Sequence, residues 1–140
     1  MQVSFRECDW FDLWIWIELA DVPSEREKQL LDEVLASWFL IGKLGGFNAT
    51  NLQVQESGAD ISHLDYDNDM AEAELMSVMH NMGEVEYDML WARCWFDLGT
   101  SDAIALDGLL NVLRQFSVDY VPLKRVVVGG TEIPDGSAVA

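Results

Sequence analysis

The residues of this chain that could do chemistry are concentrated in an acidic stretch near its middle. The run Asp65-Tyr-Asp67-Asn-Asp69 has the spacing that opens a calcium-binding loop, in which alternating oxygen atoms contact the ion. The pattern then fails, because Met70 stands where glycine is needed and Met76 stands where a bidentate Glu belongs. The sequence therefore favours an acidic loop that caps a helix, with weak cation binding by these three aspartates as the alternative.

Two histidines, His63 and His80, lie in the same region and add a second candidate for metal binding. No H-x-x-x-H or H-x-x-E pattern sets a ligand spacing, so a solvated histidine near negative charge is favoured for each. No Ser, Cys or Lys nucleophile has a base identifiable in the sequence. We therefore predict no catalytic residue, no metal site and no cofactor, and keep Asp65, Asp67, Asp69 and His80 as weak metal candidates.

The segment Gly99-Thr100-Ser101 is placed at a strand-to-helix turn, where backbone N–H groups could bind an anion. Asp97 and Asp102 flank this turn, and their charge opposes a phosphate. Ordinary capping of the following helix by Thr100 or Ser101 is the better account.

The overall charge narrows the classes of partner. The 140 residues include 25 acidic and 8 basic side chains, which gives a net charge of -17. Such a field repels phosphate backbones and anionic lipid surfaces, so we expect no nucleic-acid partner. Asp12, Glu18 and Asp21 interrupt the most apolar region, and we expect no membrane insertion. The N-terminus lacks a signal-peptide pattern and the two cysteines form no C-x-x-C pair, which favours a reducing, cytoplasmic location.

The elements that must position these residues follow from hydrophobic periodicity. Alternating side chains predict strands, and apolar residues at three- and four-residue steps after a capping box at Ser24 and Glu27 predict a helix. The predicted order is strand 13–19, helix 24–42, strand 52–56, an insertion over 57–87 with a helix at 70–82, strand 89–98, helix 101–117 and strand 123–128. Whether residues 2–6 form a further strand stays open. We expect one domain over 1–130 and a flexible tail over 131–140.

This order predicts an α+β fold, the ferredoxin-like βαββαβ sandwich, with an antiparallel sheet and a helical insertion between strands two and three. In that topology the first and third strands are neighbours in the middle of the sheet, and both helices cover one face. The aliphatic sides of the two strands then face the helices. The opposite face carries Glu18 together with Trp14, Trp16, Trp91, Arg93 and Trp95.

We call these last five residues the tryptophan face and predict that they bind a partner. Four indoles of about 150 to 250 Å² each exceed the apolar patch that a monomer usually exposes. One cover is internal, with the methionine-bearing helix of the insertion packed over the sheet through Leu75, Met76, Met79 and Met82. The other covers are a protein partner or a second copy of the chain, and a small aromatic or tetrapyrrole ligand.

Three segments carry a resemblance to a known family: Trp38 to Asn48, Leu64 to Asp69, and Trp91 to Asp107. Over about residues 2 to 130 the chain resembles an uncharacterised domain family of cyanobacteria with relatives in plant plastids. The resemblance implies a cytoplasmic or stromal protein of an oxygenic phototroph, with a role near photosynthesis, and transfers no catalytic residue. We therefore expect a non-enzymatic accessory, assembly or regulatory factor. The alternative is a small-ligand or metal-binding sensor, or an enzyme, that uses a cleft between the sheet and the acidic insertion.

Overall fold

A computed structural model describes residues 1–47 and 78–134, which form a mixed α+β fold. The predicted strand 52–56, the aspartates at 65, 67 and 69, and the residues from 135 onward lie outside the described residues. The described elements are strand β1 (Gln2–Phe5), strand β2 (Leu13–Leu19), helix α1 (Glu25–Lys43), strand β3 (Asn81–Met82), strand β4 (Glu86–Asp88), strand β5 (Trp91–Asp97), helix α2 (Ile104–Asp119) and strand β6 (Leu123–Val128).

The six strands form one sheet in the order β1-β6-β2-β5-β3, and β4 also pairs with β5. Strand β2 lies in the middle and runs antiparallel to both β5 and β6. Strand β1 pairs in parallel with β6, so the expectation of a purely antiparallel sheet is wrong at this edge. The chain reverses between β1 and β2, so β1 runs opposite to β2. Strand β6 also runs opposite to β2, and β1 and β6 therefore point the same way.

The C-terminal part of the predicted insertion belongs to the sheet. Residues 81–82 and 86–88 pair with β5, so the prediction of a helix reaching residue 82 is wrong at its end. The exposed backbone groups of β5 explain this pairing, because an edge strand offers a row of unpaired donors and acceptors. Between the two short strands, the Gly83 N–H donates to the Trp95 carbonyl at 2.8 Å and keeps the connection against β5.

The two helices begin differently. Ser24 and Glu27 form the predicted capping box, with both reciprocal hydrogen bonds present. Helix α2 begins at Ile104, and its N-cap, Ala103, makes no side-chain bond, so the predicted cap at residue 100 or 101 is wrong. Those hydroxyls are used elsewhere, because Ser101 Oγ donates to the Leu98 carbonyl at 2.7 Å and Thr100 Oγ1 accepts from the Val78 N–H at 3.1 Å.

Both helices pack on one face of the sheet and form the main hydrophobic core there. The Trp38 indole N–H donates to the Ala105 carbonyl at 2.8 Å and joins α1 to α2. Met79 is also buried in this core, against Gly42, where an added Cβ would lie 2.3 Å from the Met79 sulfur. The core is built from aliphatic and aromatic residues of both helices and the central strands, including Ile15, Ile17, Leu31, Leu35, Cys94, Phe96, Leu109, Leu113 and Val126.

Candidate partner-binding face

The pairing of β2 with β5 brings the predicted site residues together. Trp14 lies opposite Trp95, and Trp16 lies opposite Arg93. Glu18 lies opposite Trp91 in the same register. Because alternate residues of a strand share a face, these side chains stand on the side of the sheet that the helices leave uncovered. Trp16, Trp91 and Val127 form a second buried cluster there, separate from the main core, with Trp14 packed against it.

The chain itself covers part of this face. Trp16 and Trp91 are 4% and 6% exposed, whereas Trp14, Arg93 and Trp95 are half-buried. The buried pair packs edge to face, with ring centroids 6.4 Å apart and an interplanar angle of 82°. Trp16 and Trp91 therefore act mainly as structural residues, and the surface available to a partner narrows to Trp14, Arg93 and Trp95.

Three arginines, not methionines, lie over the indoles. The Arg93 guanidinium lies 4.4 Å from the ring centroid of Trp14 and 5.3 Å from that of Trp16. Arg6 lies 5.7 Å from the Trp16 ring and Arg125 lies 5.0 Å from the Trp91 ring. A guanidinium over an indole is attracted by the negative ring face, and planar stacking also fixes the side chain. Interleaved arginine and tryptophan side chains are thus the distinguishing feature of this face.

The predicted methionine cover is wrong for the residues that the structure describes. Met79 lies in the main core on the opposite side of the sheet, and Met82 packs against that same core. The register explains the position of Met82, because Met82 pairs with Phe96, whose side chain points toward the helices. Leu75 and Met76 lie outside the described residues.

Two carboxylates compensate two of the three arginines. Glu86 Oε1 lies 3.1 Å from Arg93 Nη2, and Glu18 Oε1 lies 3.1 Å from Arg125 Nε. The two pairs differ in environment, since Glu86 is exposed and Glu18 is only 5% exposed. Burying a carboxylate costs free energy unless a cation and hydrogen bonds compensate its charge, and Arg125 supplies that cation to Glu18. Arg125 thus contacts both Glu18 and the Trp91 ring.

The segment after β6 borders the face and contributes to it. The Trp16 indole N–H donates to the Gly130 carbonyl at 3.1 Å, and Arg6 Nε donates to the Gly129 carbonyl at 2.9 Å. Gly130 has a φ of +78°, and an added Cβ would lie 2.3 Å from Arg6 Nε. A glycine is therefore required at position 130 for both backbone conformation and space. Of the predicted tail, residues 131–134 are described and Pro134 is buried.

A cavity of about 460 Å³ lies between this segment and the β4–β5 hairpin. Its volume falls within the range of about 300 to 1,000 Å³ typical of ligand pockets. Sheet residues, hairpin residues and residues after β6 all contribute to its lining, which includes Trp16, Trp91, Arg93, Glu86, Asp88 and Ile133. The cavity is thus bordered by two indoles, one paired arginine and two carboxylates.

Comparison with known protein families identifies the family to which this chain belongs. The family model described as "Protein of unknown function (DUF3531)" matches residues 1–138. The chain belongs to this family. Membership in DUF3531 confirms the expected uncharacterised domain, and the family's description carries no activity and no residue role. No curated protein and no solved structure matches the chain.

The weak metal candidates are not brought together by the described part of the chain. His80 directly precedes β3 and lies beside Asp97, the last residue of β5, with Nδ1 3.5 Å from Asp97 Oδ1, and it does not line the cavity. Asp65, Asp67 and Asp69 lie outside the described residues. Within residues 1–47 and 78–134, no group of three or more His, Cys, Asp or Glu side chains could hold a metal ion. In the same ranges, no helix has the length and apolar character needed to cross a membrane.

Two weakly acidic side chains on the helix-covered side of the sheet, Tyr87 and Cys94, have pKa values raised above their ordinary values. Burial, followed by the nearby charges of Asp32 and Glu86, raises the pKa of the Cys94 thiol to about 12. Burial and a hydrogen bond of 2.6 Å to Asp32 raise the pKa of the Tyr87 phenol well above its ordinary value. Neither group supplies a nucleophile or a base at neutral pH.

Sequence reasoning missed three contributors to the face: Arg6, Arg125 and Ile133. A signal existed for Arg125, because the alternation of Arg125 and Val127 on β6 places both on the side of the tryptophans. For Arg6 and Ile133 the sequence holds no such signal, since their positions depend on the loop before β2 and on the segment after β6.

Proposed function

We propose that this chain is a non-enzymatic protein-binding domain that recognises another protein through the exposed part of the tryptophan face. The observation that supports this most is the half-buried pair Trp14 and Trp95, lying directly opposite each other with Arg93 stacked on Trp14. Tryptophan and arginine are the residue types most enriched among those that dominate binding energy at protein interfaces.

The geometry also lowers the entropic cost of binding. Arg93 is held by stacking on Trp14 and by the 3.1 Å ion pair with Glu86. The Trp95 indole N–H donates to Asp12 Oδ1 at 2.6 Å, which fixes that ring. Side chains already fixed in the free protein lose less rotamer freedom when a partner binds. The surface is therefore preorganised for recognition.

The partner we propose is a different protein rather than a second copy. Each copy carries a net charge of -17, so association of two copies brings like charges together. An exposed site on a strongly acidic chain is best complemented by a protein with basic residues near its binding segment. Self-association is the other outcome that a crosslinking experiment can detect.

We infer a ferredoxin-like arrangement for the core of this domain. Strand β2 lies between β5 and β6 and is antiparallel to both, and both helices pack on one face, which supports that assignment. The strand predicted at residues 52–56 lies outside the described residues, and in the described part of the chain β3 and β4 occupy the place beside β5 that the second strand of this arrangement takes. Backbone NOEs between β5 and residues 81–88 would support the assignment, and NOEs that place a different segment beside β5 would overturn it.

We further propose an accessory, assembly or regulatory role near photosynthesis, in the cytoplasm or, for plastid relatives, in the stroma. This part of the proposal is supported by the resemblance to a domain family of cyanobacteria and plastids and by no geometric observation. Gene disruption in a phototroph, followed by measurement of photosystem content, tests it directly. Unchanged photosynthetic complexes would contradict it.

Photo-crosslinking tests the binding function even when the identity of the partner is unknown. The photo-reactive residue benzoylphenylalanine is placed at position 95 and, as a control, at position 118. Val118 is 80% exposed and belongs to α2, on the side of the sheet that the helices cover. We expect position 95 to form one discrete covalent adduct in native extract, and a second substitution, Trp14→Ala, to reduce it. Equal adduct patterns from both positions would overturn the proposal, and an adduct of twice the chain mass would identify self-association.

A small-molecule ligand is the second candidate, and the cavity of about 460 Å³ favours it specifically. Ligands that bind only the folded state raise the midpoint of thermal unfolding. Thermal shifts measured with metals, nucleotides and tetrapyrroles would reveal such a ligand. If none of these compounds raises the midpoint, this second function is contradicted for those classes.

A further inference from the structure

We propose that the free edge of strand β1 binds an extended, acidic segment of another protein, which joins the sheet as an additional strand. This edge is separate from the tryptophan face, so the inference goes beyond the proposed function and does not depend on it. It follows from the unpaired backbone groups of β1, from the contrast between the two edges of the sheet, and from the cations beside β1.

Strand β1 is the last strand of the sheet, and one side of its backbone is unpaired. Its other side pairs with β6, and the N–H of Arg6, the residue after β1, donates to the Val128 carbonyl at 2.7 Å. Backbone groups along a strand point alternately to its two sides, so those of Ser4 and Arg6 face β6, whereas those of Val3 and Phe5 face away from it. In the described part of the chain, no hydrogen bond reaches these outward N–H and C=O groups.

The opposite edge of the sheet is protected against pairing, and β1 is not. Beside β5 that edge is interrupted at residues 83–85, and Glu84, Glu86 and Asp88 are exposed along it. Interruptions and charged side chains prevent an edge strand from pairing with another chain. Strand β1 contains no charged residue and no proline, and Phe5 is 57% exposed. The edge at β1 is therefore the one that is open to addition of a strand.

Two cations lie at the start of β1. Arg114 Nη1 donates to the Met1 carbonyl at 3.4 Å, and Lys124 is exposed and directly precedes Arg125, the residue that pairs with Gln2. Neither Arg114 nor Lys124 forms an ion pair with a residue in the described ranges. Strands β1 and β6 contain no carboxylate that could compensate them. This edge therefore presents uncompensated positive charge on a chain whose net charge is -17.

These charges select the occupant of the edge. Acidic side chains on an added strand are attracted by Arg114 and Lys124, whereas a basic segment is repelled by them. A second copy of the chain is a poorer occupant, because each copy has a net charge of -17 and its β1 offers no carboxylate to the two cations. Beside its acidic residues, β-branched residues of the segment suit the positions across from Val3 and Phe5. The occupant is therefore an acidic, extended segment of a different protein.

The test uses two acetylated and amidated pentapeptides as probes, Glu-Val-Thr-Val-Glu and its neutral isostere Gln-Val-Thr-Val-Gln. Acidic residues at both ends place a carboxylate beside Arg114 and Lys124 whichever way the added strand runs. Binding to the ¹⁵N-labelled full chain is followed by chemical shifts and by hydrogen exchange of the backbone amides. Two exposed ion pairs predict that the acidic probe binds about 3- to 10-fold more tightly than the neutral probe.

Hydrogen exchange reports directly on the outward groups. In the free chain we expect the Val3 and Phe5 amides to exchange quickly, while the Ser4 and Arg6 amides are protected by β6. The acidic probe should protect the Val3 and Phe5 amides, because its backbone supplies the missing acceptors.

Two charge-matched double variants locate the electrostatic effect. Lys124→Gln/Arg114→Gln should reduce the preference for the acidic probe to about twofold or less. Arg26→Gln/Lys43→Gln makes the same change in net charge on α1, which contacts Tyr87 of β4 at the opposite edge, and should leave the preference unchanged.

A third variant tests the backbone contact. Val3→Pro removes one outward N–H, and proline is tolerated on an edge strand where that N–H faces solvent. We expect the acidic probe to bind this variant about 3- to 10-fold more weakly, as loss of one hydrogen bond predicts. Continued protection of the Ser4 and Arg6 amides would show that the pairing of β1 with β6 is intact.

Equal affinities for the two probes would overturn the inference, as would equal effects of the two double variants or unchanged affinity in Val3→Pro. Protection of the Val3 and Phe5 amides before any probe is added would also overturn it, because the edge would then already be paired. None of these measurements involves position 95, so crosslinking at that position tests the tryptophan face separately.

Discussion

The ion pair between Glu18 and Arg125 gives the sharpest test of how the tryptophan face is held together. Glu18 is 5% exposed, and the Arg125 side chain, 22% exposed, supplies the cation at 3.1 Å. Arg125→Met leaves a buried carboxylate without that cation, a change that typically costs about 3 to 5 kcal/mol. The lost stacking on Trp91 adds about 0.5 to 1 kcal/mol. Because Arg125 is partly solvated, we expect a loss near the lower end, about 3 kcal/mol of unfolding free energy.

The double variant Glu18→Gln/Arg125→Met removes both charges and should cost only about 1 kcal/mol, since no buried charge is left uncompensated. Urea unfolding followed by far-UV circular dichroism measures each variant without relying on the indoles themselves. Lys124→Met is the matched control, because Lys124 is an exposed cation on the same strand, and it should cost less than about 0.5 kcal/mol. If Arg125→Met costs no more than Lys124→Met, or if the double variant costs as much as Arg125→Met alone, the reasoning is refuted.

Three further predictions concern the backbone and the thiol. Met89 has a φ of +52° at the tip of the β4–β5 hairpin and is 69% exposed, so Met89→Asn should raise the unfolding free energy by about 0.5 to 1 kcal/mol; unchanged urea stability would contradict this. Gly130→Ala places a methyl group against Arg6, so it should displace Arg6 from Trp16, lower the unfolding free energy by about 2 kcal/mol and red-shift tryptophan emission. An unshifted spectrum together with a loss below about 0.5 kcal/mol would contradict the predicted clash between residue 130 and Arg6. The pKa of Cys94 is raised from 9.0 to about 12 in the folded chain, so the unfolded thiol ionises first and the unfolding free energy falls as pH rises from about 9 to about 12. Cys94→Ala should make this decline less steep when the unfolding free energy is measured by urea titration at each pH. An equally steep decline in the variant would refute the prediction.

The central part of the site could be predicted because its signal is local. Strict alternation along residues 13–19 and 91–97 separates two faces of each strand, and the register then places Trp14 beside Trp95. The capping box at Ser24 is local in the same sense. Such patterns depend only on residues that are close together in the sequence.

The remaining features depend on contacts between segments far apart in sequence. The parallel pairing of β1 with β6 joins residues 2–5 to residues 125–128, and neither segment specifies its neighbour. The predicted cap of α2 failed for the same reason, because Thr100 bonds to Val78 across 22 residues. The arginine cover also comes from three separate strands or loops, and a periodicity argument along one strand cannot assemble it.

Hydroxyl-radical footprinting of the tryptophans measures the central claim most directly, since it compares the same side chains in the purified chain and in native extract. We predict that Trp14 and Trp95 are oxidised in the purified chain and protected in the extract. Trp38, which is 2% exposed in the main core, should stay unreactive in both and serves as the internal reference. Equal oxidation of Trp14 and Trp95 in the two samples would contradict the account of this face as a recognition surface.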